Sequence, residues 1–588
     1  MKAKYILSGV IAAVLMTLSS CSDFFQQESD HVTFTDNMHL NDPADTIYTL
    51  TGIMAKMQAL GDRTILLGEA RGDLVDITNV ASSDLRDIAQ FNIGDGNKYN
   101  NPRDYYAVIN NCNLYIAKAD TALKNNRNQN IFIREYAAVK AYRAWTYLQL
   151  AINYGRVPFV TEPILTKEQN DATYETKDIK EVCNWLINDI TPLANEEYPG
   201  LGDIGVTNSR MLYFPIYVVL GDLNLWAGNY KEAAKAYYMG ITTANGANSF
   251  YPIGTNRVSW NGTGNWTNYV NSWSNGFQDE DFYPQRELIT MIAGDSIPSD
   301  GNYSQLRNIF NSNEDNNYEV SLVPSEALLN LSSSQVYCQI TSDGDTIYAP
   351  SNLSGLLAGD LRLYGTWSTL DNFSYKNRKI NYQYISKYTS RNVHIYRRTM
   401  LYLHLAEALN RAGYPHFAYQ ILASGVNDKI MEDKVLPYCT TAADSAFVSE
   451  FAFPATSFNG YLVADLSNTT QPFNTIGIHS RGSGWSQANK YYQMPDDTTL
   501  TGAARVDYQI DQVERMIVDE GALEFAFEGT RYYDLMRVAL RRNDPAFLAN
   551  RIYARRGEAH AAEVKSEIKK DLMNPNNWFL NWNGKIGL

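Results

Sequence analysis

The stretch from residue 515 to residue 541 constrains the fold of this chain more than any other, because its pattern is that of two helices joined by a short corner. Four residues, the first Met516 and the last Phe527, follow one another along the sequence at steps of three and four. In a helix these residues would lie on one face. Gly529 then interrupts the pattern, and a second apolar run starts at Tyr532. Glycine commonly ends a helix because it adopts the left-handed conformation without a Cβ clash. The pattern predicts a helical hairpin.

Charged residues crowd the corner of this hairpin: Glu524, Glu528, Arg531, Asp534 and Arg537. Paired carboxylates can act as general acid and base, and a pair that flanks a sugar bond is typical of a glycosidase. Glu524 and Glu528, however, are four residues apart on one helix, and basic side chains follow them. This spacing favours a structural network of ion pairs over a catalytic pair.

The hairpin closely resembles the C-terminal signature of the SusD/RagB family, the surface nutrient-binding lipoproteins of Bacteroidetes. The residues that carry the resemblance are Glu514, Arg515, Glu524, Phe527, Glu528, Gly529, Arg531, Asp534, Leu535 and Arg537. A second resemblance is an aromatic-rich helix that ends at Tyr154 and is followed by G-x-V-P-x-V-T-x-P from Gly155 to Pro163. The resemblance implies a mainly α-helical SusD-like fold whose helix pairs pack against loop-rich insertions that contain short strands.

The amino terminus has the pattern of a lipoprotein signal peptide. Lys2 and Lys4 precede an apolar run over residues 6–18, which is too short for a comfortable membrane span. Leu-Ser-Ser-Cys then ends at Cys21 and resembles a bacterial lipobox, which implies cleavage after residue 20 and acylation of the Cys21 thiol. Residues 21–43 follow as a polar tether, so lipid alone would hold the mature chain to a membrane.

Helical periodicity and terminators divide the next part of the chain. We expect helices over residues 44–60, 104–124, 131–154, 179–193 and 209–242. Gly61 is expected to end the first of them, and Gly155 the third, because Pro158 prevents its resumption.

Two segments match the tetratricopeptide pattern of small and aromatic residues. In the first, Gly221 lies where two helices would cross, Ala233 is the small residue of the second helix, and Tyr237 follows four positions later. The template recurs at Leu405-Ala406, Ala418 and Leu422. About 170 residues of different character separate the two segments, so the pattern predicts helix pairs interrupted by insertions rather than a contiguous solenoid.

An aromatic-rich segment over residues 250–303 has neither helical nor sustained strand periodicity. Its rings lie among Asn, Gly and Ser, and those we select as ligand-binding candidates are Trp260, Trp266, Tyr269, Trp273 and Tyr283. Exposed rings are unfavourable unless they pack or bind. Either these rings pack inward as a separate hydrophobic core of the insertion, or they present exposed faces on which pyranose rings stack.

The loop region after the first helix supplies further candidates by position, because the family resemblance implies that this region contributes to the ligand surface. These candidates are Arg71, Asp73 and Tyr99. A glycine-rich segment over residues 477–484 lacks the order of a phosphate-binding loop, so we expect a tight loop there. His479 and Arg481 within it are expected to face either a partner or the ligand.

Composition excludes several other functions. The 50 basic residues against 64 acidic ones give a net charge of −14, and no basic tract interleaves with aromatics, so nucleic acid is not an expected partner. The five cysteines form no C-x-x-C, and the seven histidines show no recognisable ligand spacing, so we expect neither a metal nor a cofactor. Cys112 and Cys183 are expected to be buried, while a disulfide among the last four cysteines stays open.

These observations divide the chain into a signal peptide (1–20), a tether (21–43), an N-terminal helical region (44–249) and a C-terminal region with insertions (250–588). The resemblance implies a protein that is not an enzyme. It would capture oligosaccharides at the cell surface and deliver them to a SusC-like TonB-dependent outer-membrane barrel. Two alternatives remain: RagB-like binding of oligopeptides, and glycoside hydrolysis by the paired carboxylates.

Overall fold

The structure is a computed structural model that describes residues 43–588 apart from 205–206, 244–257, 261–268, 272, 278–286, 295–303, 341–345, 349–351, 354–355, 358, 454–476 and 485–490. Its first ten helices are α1 Pro43–Glu69, α2 Ser83–Ala89, α3 Pro102–Lys118, α4 Ile133–Tyr154, α5 Lys167–Asn170, α6 Ile179–Ile190, α7 Ile216–Ala227, α8 Tyr230–Thr242, α9 Leu306–Phe310 and α10 Glu326–Ser334. The others are α11 Arg362–Thr366, α12 Arg398–Arg411, α13 Pro415–Ala423, α14 Asp428–Ile430, α15 Ala442–Val448, α16 Ser480–Ser483, α17 Gly502–Phe525, α18 Arg531–Arg542, α19 Pro545–Tyr553 and α20 Ala561–Glu567.

The strands are short and pair only in twos among the described residues. They are β1 Val75–Ile77, β2 Val157–Pro158, β3 Thr176–Lys177, β4 Asp203–Ile204, β5 Thr207–Asn208, β6 Val258–Trp260, β7 Tyr269–Asn271, β8 Leu288–Ile292, β9 Leu322–Pro324, β10 Cys338–Ile340, β11 Thr346–Tyr348, β12 Asn352–Leu353, β13 Leu356–Leu357, β14 Trp367–Tyr375, β15 Arg378–Ile385 and β16 Val393–Arg397. β1 pairs with β9 and β8 with β16, while the other strands pair with their neighbours along the chain, all antiparallel. The expected mainly α-helical fold with short strands is confirmed.

The helices contact one another along a path that returns to its start. It runs from α1 through α3, α4, α6, α7, α8 and α12, continues to α17 and α18, and α18 packs against α1. One apolar core accordingly extends from Leu50 to Ile586. Helices on both sides of the expected boundary at residue 250 share this core, and the boundary itself lies outside the described residues.

The two tetratricopeptide-like segments form packed helix pairs, α7 with α8 and α12 with α13. The fit between α7 and α8 requires a glycine, because a Cβ at Gly221 would lie 2.5 Å from the Tyr237 ring. The helical stretch expected over 209–242 contains both helices of the first pair, α7 and α8. It breaks after Ala227, where Gly228 takes the left-handed φ of +85° that caps α7.

The first helix does not end at Gly61 as expected but continues to Glu69. The glycine serves close packing there, since a Cβ on Gly61 would lie 3.0 Å from Val393 Cγ2. Helix α3, expected over 104–124, ends at Lys118, whereas α4 ends before Gly155 as expected, with a φ of +77° at that glycine. Apolar spacing located these helices, but close packing and local turns decided their ends.

The signature hairpin consists of α17 and α18, and its corner rests on the end of α1. Gly529 has a φ of +79° in the corner, as the sequence predicts. The Glu69 carboxylate accepts hydrogen bonds from the backbone N–H groups of Phe527 and Gly529, each at 2.9 Å. A Cβ on Gly68 would lie 1.7 Å from the Gly529 carbonyl oxygen, so the two backbones are in direct contact.

Candidate functional site

A buried cluster of charges lies where the signature hairpin meets the insertions, and we call it the central charge network. Its members are Glu287, Asp360, Arg362, Lys387, Arg397, His479, Arg481, Glu520, Glu524 and Glu528. These residues come from five separate parts of the sequence, so no local motif contains the network. Every side chain in it is at most 12% exposed.

Glu524 is the centre of this network. Its Oε1 accepts hydrogen bonds from Arg397 at 2.8 Å and from Arg481 at 2.7 Å, and its Oε2 accepts one from Arg362 at 2.8 Å. Burial alone would raise the pKa of Glu524, but the three guanidinium groups hold it far below its usual range. A general acid needs the opposite shift, so this carboxylate stays ionised and cannot donate a proton near neutral pH.

Glu528 binds the same arginine from the other side. Its Oε2 accepts a hydrogen bond from Arg397 Nε at 2.6 Å, and its Oε1 contacts the Lys387 ammonium. Lys387 in turn donates to the Glu524 backbone carbonyl at 2.9 Å. The two carboxylates therefore share the Arg397 guanidinium, and the predicted structural network of ion pairs is confirmed.

The insertion is anchored on this network through Trp273. This side chain is fully buried, and its Nε1 donates to Thr366 Oγ1 at 2.8 Å. The Arg481 guanidinium lies 4.9 Å from the ring centroid and the Lys387 Nζ lies 5.5 Å from it. With Phe277 and Tyr337, Trp273 belongs to a small separate core. Trp273 therefore packs in a separate core of the insertion, which is the first of the two expectations for these rings.

The structure describes the backbone of two of the other four aromatic candidates in the insertion. Trp260 ends β6 and Tyr269 begins β7, and the antiparallel register makes the two residues direct partners. Trp266 and Tyr283 lie outside the described residues. Strand β7 ends two residues before the buried Trp273. The β6–β7 pair therefore lies next to that anchor in the sequence, and two of the candidates occupy paired backbone positions in it.

The candidates after the first helix lie inside the protein rather than on a ligand surface. Arg71 is 1% exposed and donates to the Leu67 carbonyl at 2.7 Å and to Asn153 Oδ1 at 2.6 Å. Asp73 is 4% exposed and accepts two hydrogen bonds from Arg531, at 2.6 and 2.8 Å. Burial alone would raise the pKa of Asp73, but Arg531 lowers it. This placement corrects the expectation from position, because both side chains hold the signature helix α18 against the loop.

Tyr99 is also buried, at 5% exposure. Its hydroxyl has no hydrogen-bond partner among the described residues, and burial raises its pKa. The Lys98 ammonium lies 4.8 Å from the ring centroid. This candidate therefore packs beneath the loop surface in the structure.

His479 and Arg481 face neither a partner nor a ligand, which corrects that expectation. The His479 Nδ1 lies 2.9 Å from Glu520 Oε2, and its ring stacks on Tyr492 with centroids 3.7 Å apart. The expected tight loop instead contains the short helix α16. No spacing rule predicts this burial, because the residues that His479 contacts are distant in sequence: Glu520 lies on α17 and Tyr492 lies in the segment before it.

Cys112, Cys183 and Cys439 are free thiols, and the first two are buried in helices as expected. Within the described ranges, no three or more His, Cys, Asp or Glu side chains are grouped so that they could bind a metal ion. No helix in the same ranges combines the length and apolar character needed to cross a bilayer.

Comparison with known proteins found no matching family model. A SusD-like protein P2 from Formosa agariphila is 27% identical over 240 residues, which is 40% of this chain and 45% of that protein. The alignment thus spans less than half the length of this curated relative.

Solved structures match over most of the chain. A SusD superfamily protein from Bacteroides vulgatus has a TM-score of 0.55 and 14% identity and covers 92% of this chain and 96% of its own. A candidate sugar-binding protein from the same organism has a TM-score of 0.51 and 16% identity, covering 85% and 88%. A SusD superfamily protein from Bacteroides thetaiotaomicron has a TM-score of 0.50 and 15% identity, covering 84% and 89%.

These structures share the fold of this chain at low sequence identity, and the name of one of them describes a sugar-binding protein. Within the charge network, burial alone would raise the pKa values of Glu287, Glu520 and Glu524, but neighbouring arginines lower them, as expected of a structural cluster of ion pairs. The chain is therefore similar to a SusD-like protein and has the fold of solved structures described as SusD superfamily proteins, as the resemblance of the signature hairpin implies.

Proposed function

We propose that this protein is a carbohydrate-binding lipoprotein of the cell surface, which captures oligosaccharides and does not cleave them. The names of its relatives support this proposal, since one solved neighbour is described as a candidate sugar-binding protein. The observation that carries it is the anchoring of the aromatic insertion. Trp273 is fully buried against the cations of the central charge network, so the segment that bears the other rings starts from a rigid base.

A rigid base matters because ordering a loop on binding reduces affinity. Rings held in place can stack on the apolar faces of pyranose units, while neighbouring amides and hydroxyls bind the sugar hydroxyls. Under this proposal Trp260, Trp266, Tyr269 and Tyr283 contact the ligand, and Trp273 positions them. Arg71, Asp73 and Tyr99 maintain the scaffold.

The proposal includes a place and a partner. Removal of residues 1–20 would leave Cys21 as the acylated first residue, and the tether over 21–43 would hold the fold outside the outer membrane. The captured oligosaccharide would pass to a SusC-like TonB-dependent barrel over which the protein sits. The division into regions 44–249 and 250–588 stays part of this proposal.

Binding of oligopeptides in the manner of RagB is the second candidate, because aromatic rings and amides also bind peptides. Glycoside hydrolysis by Glu524 and Glu528 is disfavoured by geometry. Both carboxylates are bound by arginine or lysine, and Glu524 is fully buried, so neither is placed to protonate a glycosidic oxygen.

The test is calorimetric titration of the mature protein with a panel of neutral oligosaccharides. We expect at least one to bind, and Trp260→Ala and Trp266→Ala to weaken that binding by about tenfold each. Trp367 lies outside the insertion, so Trp367→Ala serves as the control for the loss of a tryptophan elsewhere in the protein. Unchanged affinity in both insertion variants would contradict the assignment of the site.

Purification with the partner barrel, followed by mass spectrometry of the bound molecules, separates the ligand classes. Copurifying glycans support the proposal. Copurifying peptides, together with no response to the oligosaccharide panel, would support the second candidate instead. Release of shortened sugars after prolonged incubation would contradict both binding proposals.

A further inference from the structure

The described part of the chain has a groove of about 740 Å³ and another of about 700 Å³, and the second has the chemistry of a ligand site. It lies between α13, the segment from Asp433 to Asp444 and the start of α17, far in sequence from the aromatic insertion. We call it the Tyr438 groove. Its volume falls within the range of about 300–1,000 Å³ that is usual for small-molecule sites.

Tyr438 supplies an exposed aromatic face in this groove. It is 57% exposed, although large aromatic side chains are usually packed. One face of its ring is covered by His416, with ring centroids 3.6 Å apart and planes within 8° of parallel. Burial lowers the pKa of His416, so this supporting ring is neutral near neutral pH. The stack holds Tyr438 flat with its other face open, as a sugar-stacking platform requires.

Gln420 supplies an unpaired acceptor in the same groove. The residue is 5% exposed, and its Oε1 has no hydrogen-bond partner among the described residues. Leaving a buried acceptor unpaired is unfavourable, and such groups in native proteins need an explanation. This oxygen has almost no accessible surface, so a rotation of the Gln420 side chain would bring it into the groove, where a ligand hydroxyl could donate the missing hydrogen bond.

Polar side chains on α17 and before it complete the groove. Arg505 Nε donates to Asp496 Oδ1 at 2.6 Å, and Gln509 approaches the same oxygen at 3.4 Å. A carboxylate has about four acceptor positions, so Asp496 can accept from further hydroxyls while it holds Arg505. Planar carboxylate, amide and guanidinium groups around an aromatic face suit the adjacent hydroxyls of a sugar.

The segment that presents Tyr438 is irregular. Met431–Val435 forms a turn of π-helix, and the 3₁₀ turn Leu436–Tyr438 follows it directly. Single turns of π-helix occur frequently at functional sites. Here the irregularity brings Tyr438 over His416 instead of continuing a regular helix.

We infer that the Tyr438 groove is a second carbohydrate site, in which a pyranose ring stacks on Tyr438 and donates a hydroxyl hydrogen bond to Gln420. This inference takes the sugar class of its ligand from the proposed function. Its residues are separate from those of the aromatic insertion, so the two sites can be tested independently.

The experiment is calorimetric titration of the full mature chain with maltohexaose, cellohexaose, laminarihexaose, xylohexaose and mannohexaose. For at least one of these probes, we expect two binding events. Tyr438→Ala should weaken one of them by about tenfold, because it removes the stacking face. Tyr438→Phe should restore that event, because the ring face is kept.

Gln420→Met separates ligand binding from stability. Since an unpaired buried acceptor is replaced by an apolar group of similar shape, the melting temperature of the free protein should stay the same or rise. Binding at the groove should nevertheless fall by about tenfold, since the hydroxyl then loses its acceptor. Tyr491→Ala is the matched control, because Tyr491 is similarly exposed at 52% but does not line the groove.

Each result decides the inference. One binding event that is indifferent to Tyr438→Ala and Gln420→Met but is weakened by Trp260→Ala or Trp266→Ala would overturn the groove site and leave the proposed function standing. A lower melting temperature for Gln420→Met would show a structural role for that side chain and would also overturn it. Absence of binding by every probe would contradict both proposals.

Discussion

The central charge network and the Tyr438 groove are built from the same kinds of side chain, but burial gives them opposite roles. In the network, Glu524 is 0% exposed, and each of its carboxylate oxygens accepts from arginine. In the groove, Tyr438 is 57% exposed, and the acceptor Oε1 of Gln420 has no partner among the described residues. A satisfied cluster holds the scaffold together, whereas an open face beside an unsatisfied acceptor can bind a ligand.

The comparison teaches that charge content alone does not indicate function. The network has more ionisable groups than the groove, and it would attract attention in any search for perturbed carboxylates. Its arginines nevertheless donate to the carboxylate oxygens that a substrate would have to contact. Four changes test this distinction, from the largest expected effect to the smallest.

Glu524→Gln should have the largest effect, because it leaves buried arginines without their shared negative charge. Removing one partner of a buried ion pair typically costs about 3–5 kcal/mol, and we expect the free energy of unfolding to fall by that amount. Urea denaturation followed by circular dichroism measures it. Arg515→Gln is the control, since its side chain is 45% exposed, that of its partner Asp511 is 37% exposed, and such a pair is worth less than about 1 kcal/mol. Equal effects of both changes would contradict a structural network.

Acid should destabilise the scaffold through Glu407. This buried carboxylate accepts from Arg537 at 2.8 and 2.6 Å. Burial opposes its ionisation, but Arg411 and Arg537 lower its pKa to about 2. A depressed folded-state pKa adds stability above the unfolded value, which is lost as the pH falls towards about 2.

We expect a loss of roughly 3 kcal/mol from this group between about pH 5 and pH 2. The free energy of unfolding measured against pH checks it. Glu407→Gln should flatten that part of the curve. If the variant and the natural protein lose the same stability over this interval, Glu407 does not supply the dependence.

Gly221→Ala should cost about 1–3 kcal/mol, because a Cβ would meet the Tyr237 ring at 2.5 Å in the packed pair α7–α8. Gly52→Ala is the matched control within α1, since nothing lies within 4 Å of its added Cβ. That change should stabilise the protein by about 0.5–1 kcal/mol through helix propensity. Thermal unfolding of both variants measures the contrast, and a stabilising Gly221→Ala would contradict the close crossing.

Tyr438→Ala should have the smallest effect on stability, within about 0.5 kcal/mol of the natural protein, because its ring is largely exposed. The same change should weaken ligand binding in the groove. Thermal unfolding in the absence of sugar provides the measurement. A loss comparable with that of Glu524→Gln would mean that Tyr438 belongs to the scaffold, and the contrast between the two regions would fail.

Much of the scaffold could be predicted from local sequence because its signals are local. Gly529 marks the corner of the signature hairpin, and Gly155 ends α4, since both positions need a positive φ. The small residue Gly221 and the aromatic Tyr237 predict the α7–α8 crossing. Gly61 was misleading because a glycine can also serve close packing inside a helix, here against Val393.

The site was less predictable because it depends on long-range contacts. Arg71 and Asp73 lie in a polar loop sequence, yet they are buried by α18 and by the chain end near Trp578. Tyr438, His416 and Gln420 carry no motif. Only the irregular turn after α14 and the packing of α13 against α17 bring them to one groove.

Resemblance to a known family supplied the expectations of a SusD-like fold and of a lipoprotein signal peptide, while the sequence by itself determined the helical hairpin and the helix pairs. These follow from periodicity, glycine conformation and residue order, which act over a few residues. The tertiary structure alone decided which charged groups became neutralised scaffold and which polar groups stayed open to a ligand. That outcome depends on burial and on partners hundreds of positions away, such as Asp73 and Arg531, and no local pattern encodes it.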